Sequence, residues 1–473
     1  MARREAKMTD NNRDPESTKR GGVAAMEPEG ISRRGFLKNT AAALGGLTAL
    51  EGLANVPAEA DTHGKLTFGL ITTHSDWCHW ENLAWGQEGV QYIVDRYVEA
   101  GIQRLCWRCT DGGTALYWSK MREPFHGLDT DCCHATYFMT PDLGRYWRTD
   151  YHTFDSFAAA VELGHKAGLE VYAWCQMAGE DDCFGYKSRR VKEHPEFCTV
   201  GRNGKRFAAK LGWAYPENHE YLIGLLREVL AYRPDGVILD FQKNQGDFRD
   251  QRTDDAGYVY YGYESPAVDD FRRKTGRDPF KIPNSDPEWI QHRANYVTEF
   301  VRKARAVQKE VAPNVRWVGQ VWAGGGNGYL QLAPEETYKR GGSYWVNHQF
   351  PVKNNLAGNL EDVGAWTESG AFDLIYPLYS PGNFPGGLPA VMKTLHQLKR
   401  GHATRIEAGT YVWDQSADTV RQNLKEAVDA GASEMFLLES EAFQMKPSKG
   451  CIDCPPRRIT WEEIRDIVKQ FGG

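Results

Sequence analysis

The chain has 473 residues, 41% of them hydrophobic and 25% charged, with a formal net charge of −6. That is the composition of a globular protein, and 57 Lys+Arg against 63 Asp+Glu leave no basic footprint for nucleic acid. The 15 Trp, 22 Tyr and 20 Phe are more rings than a core needs, so part of them is expected to line a surface that stacks against ringed ligands.

The first sixty residues contain no Trp, Tyr, Cys or His. Ser32-Arg33-Arg34-Gly35-Phe36-Leu37-Lys38 precedes a small-residue apolar run, Thr40 to Leu50, and Ala58-Glu59-Ala60 offers an A-x-A-like cleavage point. This segment resembles a bacterial twin-arginine export signal. The resemblance implies handling by the twin-arginine translocation machinery, cleavage near Ala60, and a protein exported to the periplasm or beyond the cell. The apolar run is shorter than the roughly 20 residues of a spanning helix, so no permanent membrane span is expected. Residues 61–473 then form one domain. Its ten Cys are too sparse for a disulfide scaffold, and Cys451-Ile452-Asp453-Cys454 lacks the second ligand pair that a zinc site needs.

In chain order, short β-branched or aromatic runs alternate with amphipathic helical stretches. Strands are expected at residues 66–71, 102–107, 170–174, 236–240, 316–321, 372–376, 406–411 and 434–438. Helices are expected at 87–100, 154–167, 218–232, 287–311, 356–369, 388–402, 419–430 and 461–471. Ala100-Gly101, Ala167-Gly168 and Ala430-Gly431 each supply a glycine where a helix should stop. Eight such units predict an α/β fold of the (β/α)8 TIM-barrel type. An open doubly wound sheet is the rival, but Thr72-Thr73-His74-Ser75-Asp76 after the first strand is no phosphate-binding fingerprint, and no nucleotide cofactor is expected.

A barrel builds its site at the C-terminal ends of its strands. Trp77, Trp107, Trp174, Trp322, Trp413 and Tyr376 fall there and are expected to form a ring of aromatic faces for sugars. Asp240 closes the apolar run Gly236-Val-Ile-Leu-Asp240, where a buried carboxylate must be paired or used, and is the first candidate for a catalytic group. Glu439 follows the eighth strand and is the candidate second acid. His74, Arg108, Gln176, Lys243, Asn244 and Gln320 are candidate contacts to substrate hydroxyls.

Glu170-Val-Tyr-Ala-Trp174, Asp235-Gly-Val-Ile-Leu-Asp240, the stretch from Trp289 to Arg302 leading into Val315-Arg-Trp-Val-Gly319, and Phe372-Asp-Leu-Ile-Tyr-Pro377 together resemble the family-10-like glycosyl hydrolases. These are (β/α)8 proteins of bacterial envelopes, and the resemblance runs by order of motifs over most of residues 65–440. It implies carbohydrate chemistry more than any one glycan. The sequence departs from the better-known retaining barrel glycosidases: strand four ends in Asp240-Phe241 rather than Asn-Glu, and strand seven ends in Val412-Trp413-Asp414 with no Glu.

The expectation is therefore an exported glycoside hydrolase with two carboxylates, Asp240 as nucleophile or base and Glu439 as acid, ahead of Asp181 and Asp414. Two alternatives stay open. One is a non-catalytic carbohydrate-binding barrel, and the other a metal-dependent hydrolase built on His74, Asp76, Cys78 and His79 with His134.

Overall fold

The computed structural model describes residues 65–81, 83–125, 149–180, 188–241, 252–324, 326–332, 346–380, 384, 386–412, 415–443 and 459–472. The export-signal segment, the family of loop acids Asp181, Asp182 and Asp414, the pair Cys451/Cys454, and the candidates Lys243, Asn244 and Trp413 lie outside them.

Eight parallel strands form the barrel: β1 (Thr67–Thr72), β2 (Arg104–Asp111), β3 (Glu170–Gln176), β4 (Gly236–Asp240), β5 (Arg316–Trp322), β6 (Leu374–Leu378), β7 (Arg405–Ile406 and Ala408–Tyr411) and β8 (Glu434–Leu438). Each pairs with the next in parallel register, and β8 returns to β1. β7 is broken at Glu407. Its lower piece pairs with β6 and its upper piece with β8. Glu407 N–H to Ile375 O at 3.0 Å and Tyr411 N–H to Tyr379 O at 2.7 Å carry the β6 pairing past the break, so the ring closes.

A helix follows every strand: α1 (Gln87–Ala100), α2 (Ser156–Lys166), α3 (Pro216–Ala231), α4 (Pro287–Val311), α5 (Val363–Glu368), α6 (Gly387–Leu398), α7 (Ala417–Asp429) and α8 (Trp461–Phe471). Local chemistry sets their ends. Asp155, Asp286, Ser416 and Thr460 side chains accept backbone N–H groups at helix starts. The three Ala-Gly stops are as expected, with Gly101, Gly168 and Gly431 all at positive φ (76°, 77° and 85°). The expected helix over 356–369 is instead two pieces, Asn355–Asn359 and α5, because Leu360 turns left-handed at φ 59° between them.

Strand periodicity divides the core in two. One apolar layer lies between strands and helices, with Leu105, Trp107, Val237 and Trp317 among its members. A second, smaller one fills the lumen with Ile71, Cys106, Tyr172, Trp174, Ile238, Val318, Tyr376 and Phe436. At the foot of the lumen Glu434 accepts from Arg104 (2.7 Å) and Arg316 (2.6 Å), closing the barrel bottom with a buried ionic cluster. Between the barrel units the chain adds pieces that the sequence periodicity did not indicate: the helix Ser265–Thr275, the hairpin Cys198–Val200 with Arg206–Leu211, and the hairpin Gly326–Leu332 with Val346–Val352. No helix among the described residues is long and apolar enough to cross a membrane.

Candidate active site

The period of two that puts Tyr172, Trp174, Ile238 and Val318 in the lumen also sends Gln176, Asp240 and Gln320 inward, at the upper end. Register sets these three side by side, Gln176 opposite Asp240 and Asp240 opposite Gln320. Asp240 is wholly buried. Gln320 Nε2 donates to Asp240 Oδ1 at 2.9 Å, and Gln320 Oε1 accepts from Tyr376 Oη (2.6 Å) and Trp174 Nε1 (3.1 Å). With two donors on its oxygen, the Gln320 amide can present only N–H to Asp240. Tyr376 is stacked on Phe436, centroids 4.2 Å apart, which fixes its hydroxyl.

On the far side of Trp174, the Arg108 guanidinium lies over the indole at 5.3 Å and forms an ion pair with Glu439. Both members are buried. Glu439 leaves the end of β8 through a cis Leu438–Glu439 peptide. One connected row thus runs across the mouth: Asp240, Gln320, Trp174, Arg108, Glu439. It joins the two carboxylates that the sequence singles out.

The aromatic ring expected at the mouth is divided by strand parity. Trp174 and Tyr376 face the lumen and Trp322, at the end of β5, is 7% exposed. Trp107 is one residue out of phase with Arg108 and packs in the helix-side layer instead. Trp77 is a core residue as well: its Nε1 donates to Thr72 Oγ1 (2.8 Å) and Ser440 Oγ (3.1 Å), and its ring meets Trp461 edge-on. Gln176 Oε1 accepts from Gly112 N–H at 2.7 Å, so it braces the loop after β2.

His74 is buried, not at a sugar-facing surface. Its ring stacks on Trp85 at 4.5 Å, Nε2 donates to Ala84 O at 3.1 Å, and burial pushes it down to about 4, so it is neutral at pH 7. Gly89 has no room for a side chain here, since a Cβ would come within 2.5 Å of His74 Nε2. Among the described residues no three His, Cys, Asp or Glu side chains gather as a metal site would require. Among the described residues, Cys106, Cys109 and Cys175 are free thiols.

One carboxylate near the site escaped sequence reasoning. Glu361, between the two short helices after β5, is buried and accepts from Trp322 N–H (3.0 Å), Asn355 Nδ2 (2.8 Å) and Asn359 Nδ2 (2.7 Å). Desolvation raises it to about 8 against those donors, with the charge of Asp240 adding to the rise. The two asparagines two and six residues before it were the available signal. Glu180, by contrast, is buried in an ion pair with Arg122 and takes a hydrogen bond from Tyr221 Oη, a structural anchor.

A family model described as Glycosyl hydrolase-like 10 matches residues 142–379, just over half of the chain. The chain belongs to that family. The matched range holds β3 to β6, and with them Asp240, Gln320, Trp174 and Tyr376, whereas Arg108 and Glu439 lie outside it. Among solved structures, the chain is similar to the catalytic domain of a beta-amylase from Paenibacillus polymyxa (10% identity, TM-score 0.48, 87% of this chain and 99% of that one). It is similar also to a beta-galactosidase from the psychrophilic Marinomonas ef1 (11%, 0.49, 85% and 59%) and to an endo-beta-1,4-mannanase from Thermotoga petrophila (11%, 0.43, 86% and 77%). No curated protein matches the chain.

Proposed function

We propose that this glycosyl hydrolase-like protein is an exported glycoside hydrolase that cleaves a poly- or oligosaccharide with Asp240 and Glu439. The observation that carries the reading is the connected row across the barrel mouth, which sets two buried carboxylates at the ends of one hydrogen-bonded and stacked unit. Two-carboxylate hydrolysis needs one acid and one ionised partner. Asp240, which accepts the Gln320 amide hydrogen, takes the part of nucleophile or base, and Glu439 at the end of β8 that of the acid that protonates the leaving oxygen. Trp322, at the end of β5, supplies an aromatic face for a sugar ring.

The experiment is hydrolysis of a glycan panel by the wild type, Asp240→Asn and Glu439→Gln, with anomeric products followed by NMR. Loss of turnover by about a hundredfold or more in both variants supports the pair, on the scale of general acid–base catalysis. Unchanged turnover in Asp240→Asn overturns it. Saturable glycan binding with no turnover in the wild type would replace the hydrolase by a carbohydrate-binding barrel.

A further inference from the structure

The parallel register of β4 and β5 ends where Asp240 lies opposite Gln320, and just past that pair Phe241 N–H donates to Gln320 O at 3.1 Å. In a parallel ladder the next rung joins Trp322 N–H to Phe241 O. Here side chains from the segment after β5 engage both groups. Trp322 N–H donates to the two carboxyl oxygens of Glu361 (3.1 and 3.0 Å), while Asn359 Nδ2 donates to Glu361 Oε1 at 2.7 Å and, at the longer distance of 3.5 Å, to Phe241 O. Asn355 Nδ2 donates to Trp322 O (2.7 Å) and to Glu361 Oε2 (2.8 Å), so the peptide groups on both sides of Trp322 are held.

Glu361, Asn355 and Asn359 are all buried. Burying a carboxyl and two amides is costly, and a plain backbone rung would have needed none of them. What they add is rigidity, since each donor in the set meets an acceptor in a low-dielectric site. The place that gains it is specific. Trp322 follows Gln320 by two residues on β5, and Phe241 follows Asp240 by one, so the side-chain rung stands directly beyond the hydrogen bond of 2.9 Å that joins Gln320 to Asp240. A reacting carboxylate displaced by about 1 Å loses much of its rate advantage, which makes a brace at this point worth its burial.

We propose that Glu361 is a positioning residue for the reaction: with Asn359 it forms a side-chain rung between β4 and β5 that holds the Gln320–Asp240 pair in its working geometry. The inference rests on the reading of Asp240 and Glu439 given above and extends it to a residue that need not touch substrate. Burial lifts the Glu361 carboxyl to about 8, so at pH 6 it is neutral and glutamine is its closest substitute. An amide oxygen can still accept from Trp322 N–H, whereas methionine at this position offers no acceptor of comparable strength.

The test is steady-state kinetics of the full chain at pH 6 on a glycan that the wild type cleaves, with the folded fraction of each variant taken from urea denaturation. Glu361→Met should lower kcat per folded molecule by about tenfold or more and leave KM within about twofold, because the loss falls on the reacting group and not on sugar binding. Glu361→Gln should recover kcat to within about threefold of wild type. Made on a Gln320→Ala background, Glu361→Met should cost less than about threefold, since the pair it positions has already lost its link. Should Glu361→Met fail to fold, Asn359→Ala removes the other half of the rung and should lower kcat by about threefold or more, again with KM little changed. A folded Glu361→Met or Asn359→Ala protein with wild-type kcat overturns the proposal, as does an equal loss from Glu361→Met on both backgrounds, the mark of a purely structural role. In those cases hydrolysis that Asp240→Asn abolishes leaves the reading of Asp240 and Glu439 standing. A wild type that turns over no glycan overturns both.

Discussion

Gln320 gives one amide hydrogen to Asp240 at 2.9 Å while its oxygen takes hydrogens from Tyr376 and Trp174, so one neutral side chain on β5 fixes a carboxylate on β4, a phenol on β6 and an indole on β3. Its removal takes one hydrogen bond from each of three buried groups, the carboxylate, the hydroxyl and the indole N–H. Gln320→Ala should cost about 1–3 kcal/mol of stability, read by urea denaturation, and lower turnover with Asp240 still present. A variant as stable as the wild type would show that Asp240 finds its donor elsewhere.

Arg108 has two duties that a lysine cannot share, the ion pair to Glu439 and the flat contact on Trp174. Arg108→Met leaves Glu439 buried without its cation and should destabilise by about 3–5 kcal/mol. Arg108→Lys should recover only part of that. Equal stability of the Lys and Arg proteins would mean that the stacked geometry adds nothing.

His74 sets an acid limit. Its folded value near 4 lies below the ordinary 6.5, so the unfolded chain binds a proton that the native imidazole refuses. Stability from this site is complete above about 6.5 and is lost as the pH falls toward 4. His74→Phe keeps the stack on Trp85 but cannot titrate. The stability difference between wild type and variant, measured by denaturation at pH 7 and pH 5, should therefore shrink at the lower pH.

Glu361 acts with the opposite slope. Its folded value of about 8 lies above the ordinary 4.5, so the native state holds the proton more tightly and stability falls as pH rises between those values. Glu361→Gln removes that slope. Relative to wild type, the variant should gain stability from pH 5 to pH 8, whatever constant cost the amide brings. A parallel pair of stability curves would contradict the assignment.

Much of this molecule was legible before its structure. Asp240 and Glu439 each end an apolar run, and β4 and β8 end at 240 and 438 as expected, because buried strands with abrupt charged ends leave little freedom in register. Trp77 and Trp107 were misplaced since proximity to a strand end does not fix the face. The period of two does: Arg108 points inward, so Trp107 cannot. Glu361 stayed hidden because its site is made by tertiary contacts from Trp322, Asn355 and Asn359 across a left-handed turn at Leu360, which no helical periodicity announces. Lys210 lies in a hairpin added between barrel units, outside any β/α repeat. Its burial follows from what packs over it, Tyr261 above all.

The central claim is that Asp240 and Glu439 act together on a glycosidic bond. It is tested most directly by turnover of wild type, Asp240→Asn, Glu439→Gln and the double variant on one cleaved glycan, with binding of that glycan measured in parallel. The account predicts that each single change abolishes most turnover, that the double loses little more, and that binding persists in all four. Retained turnover in either single variant, with the glycan still bound, would contradict it.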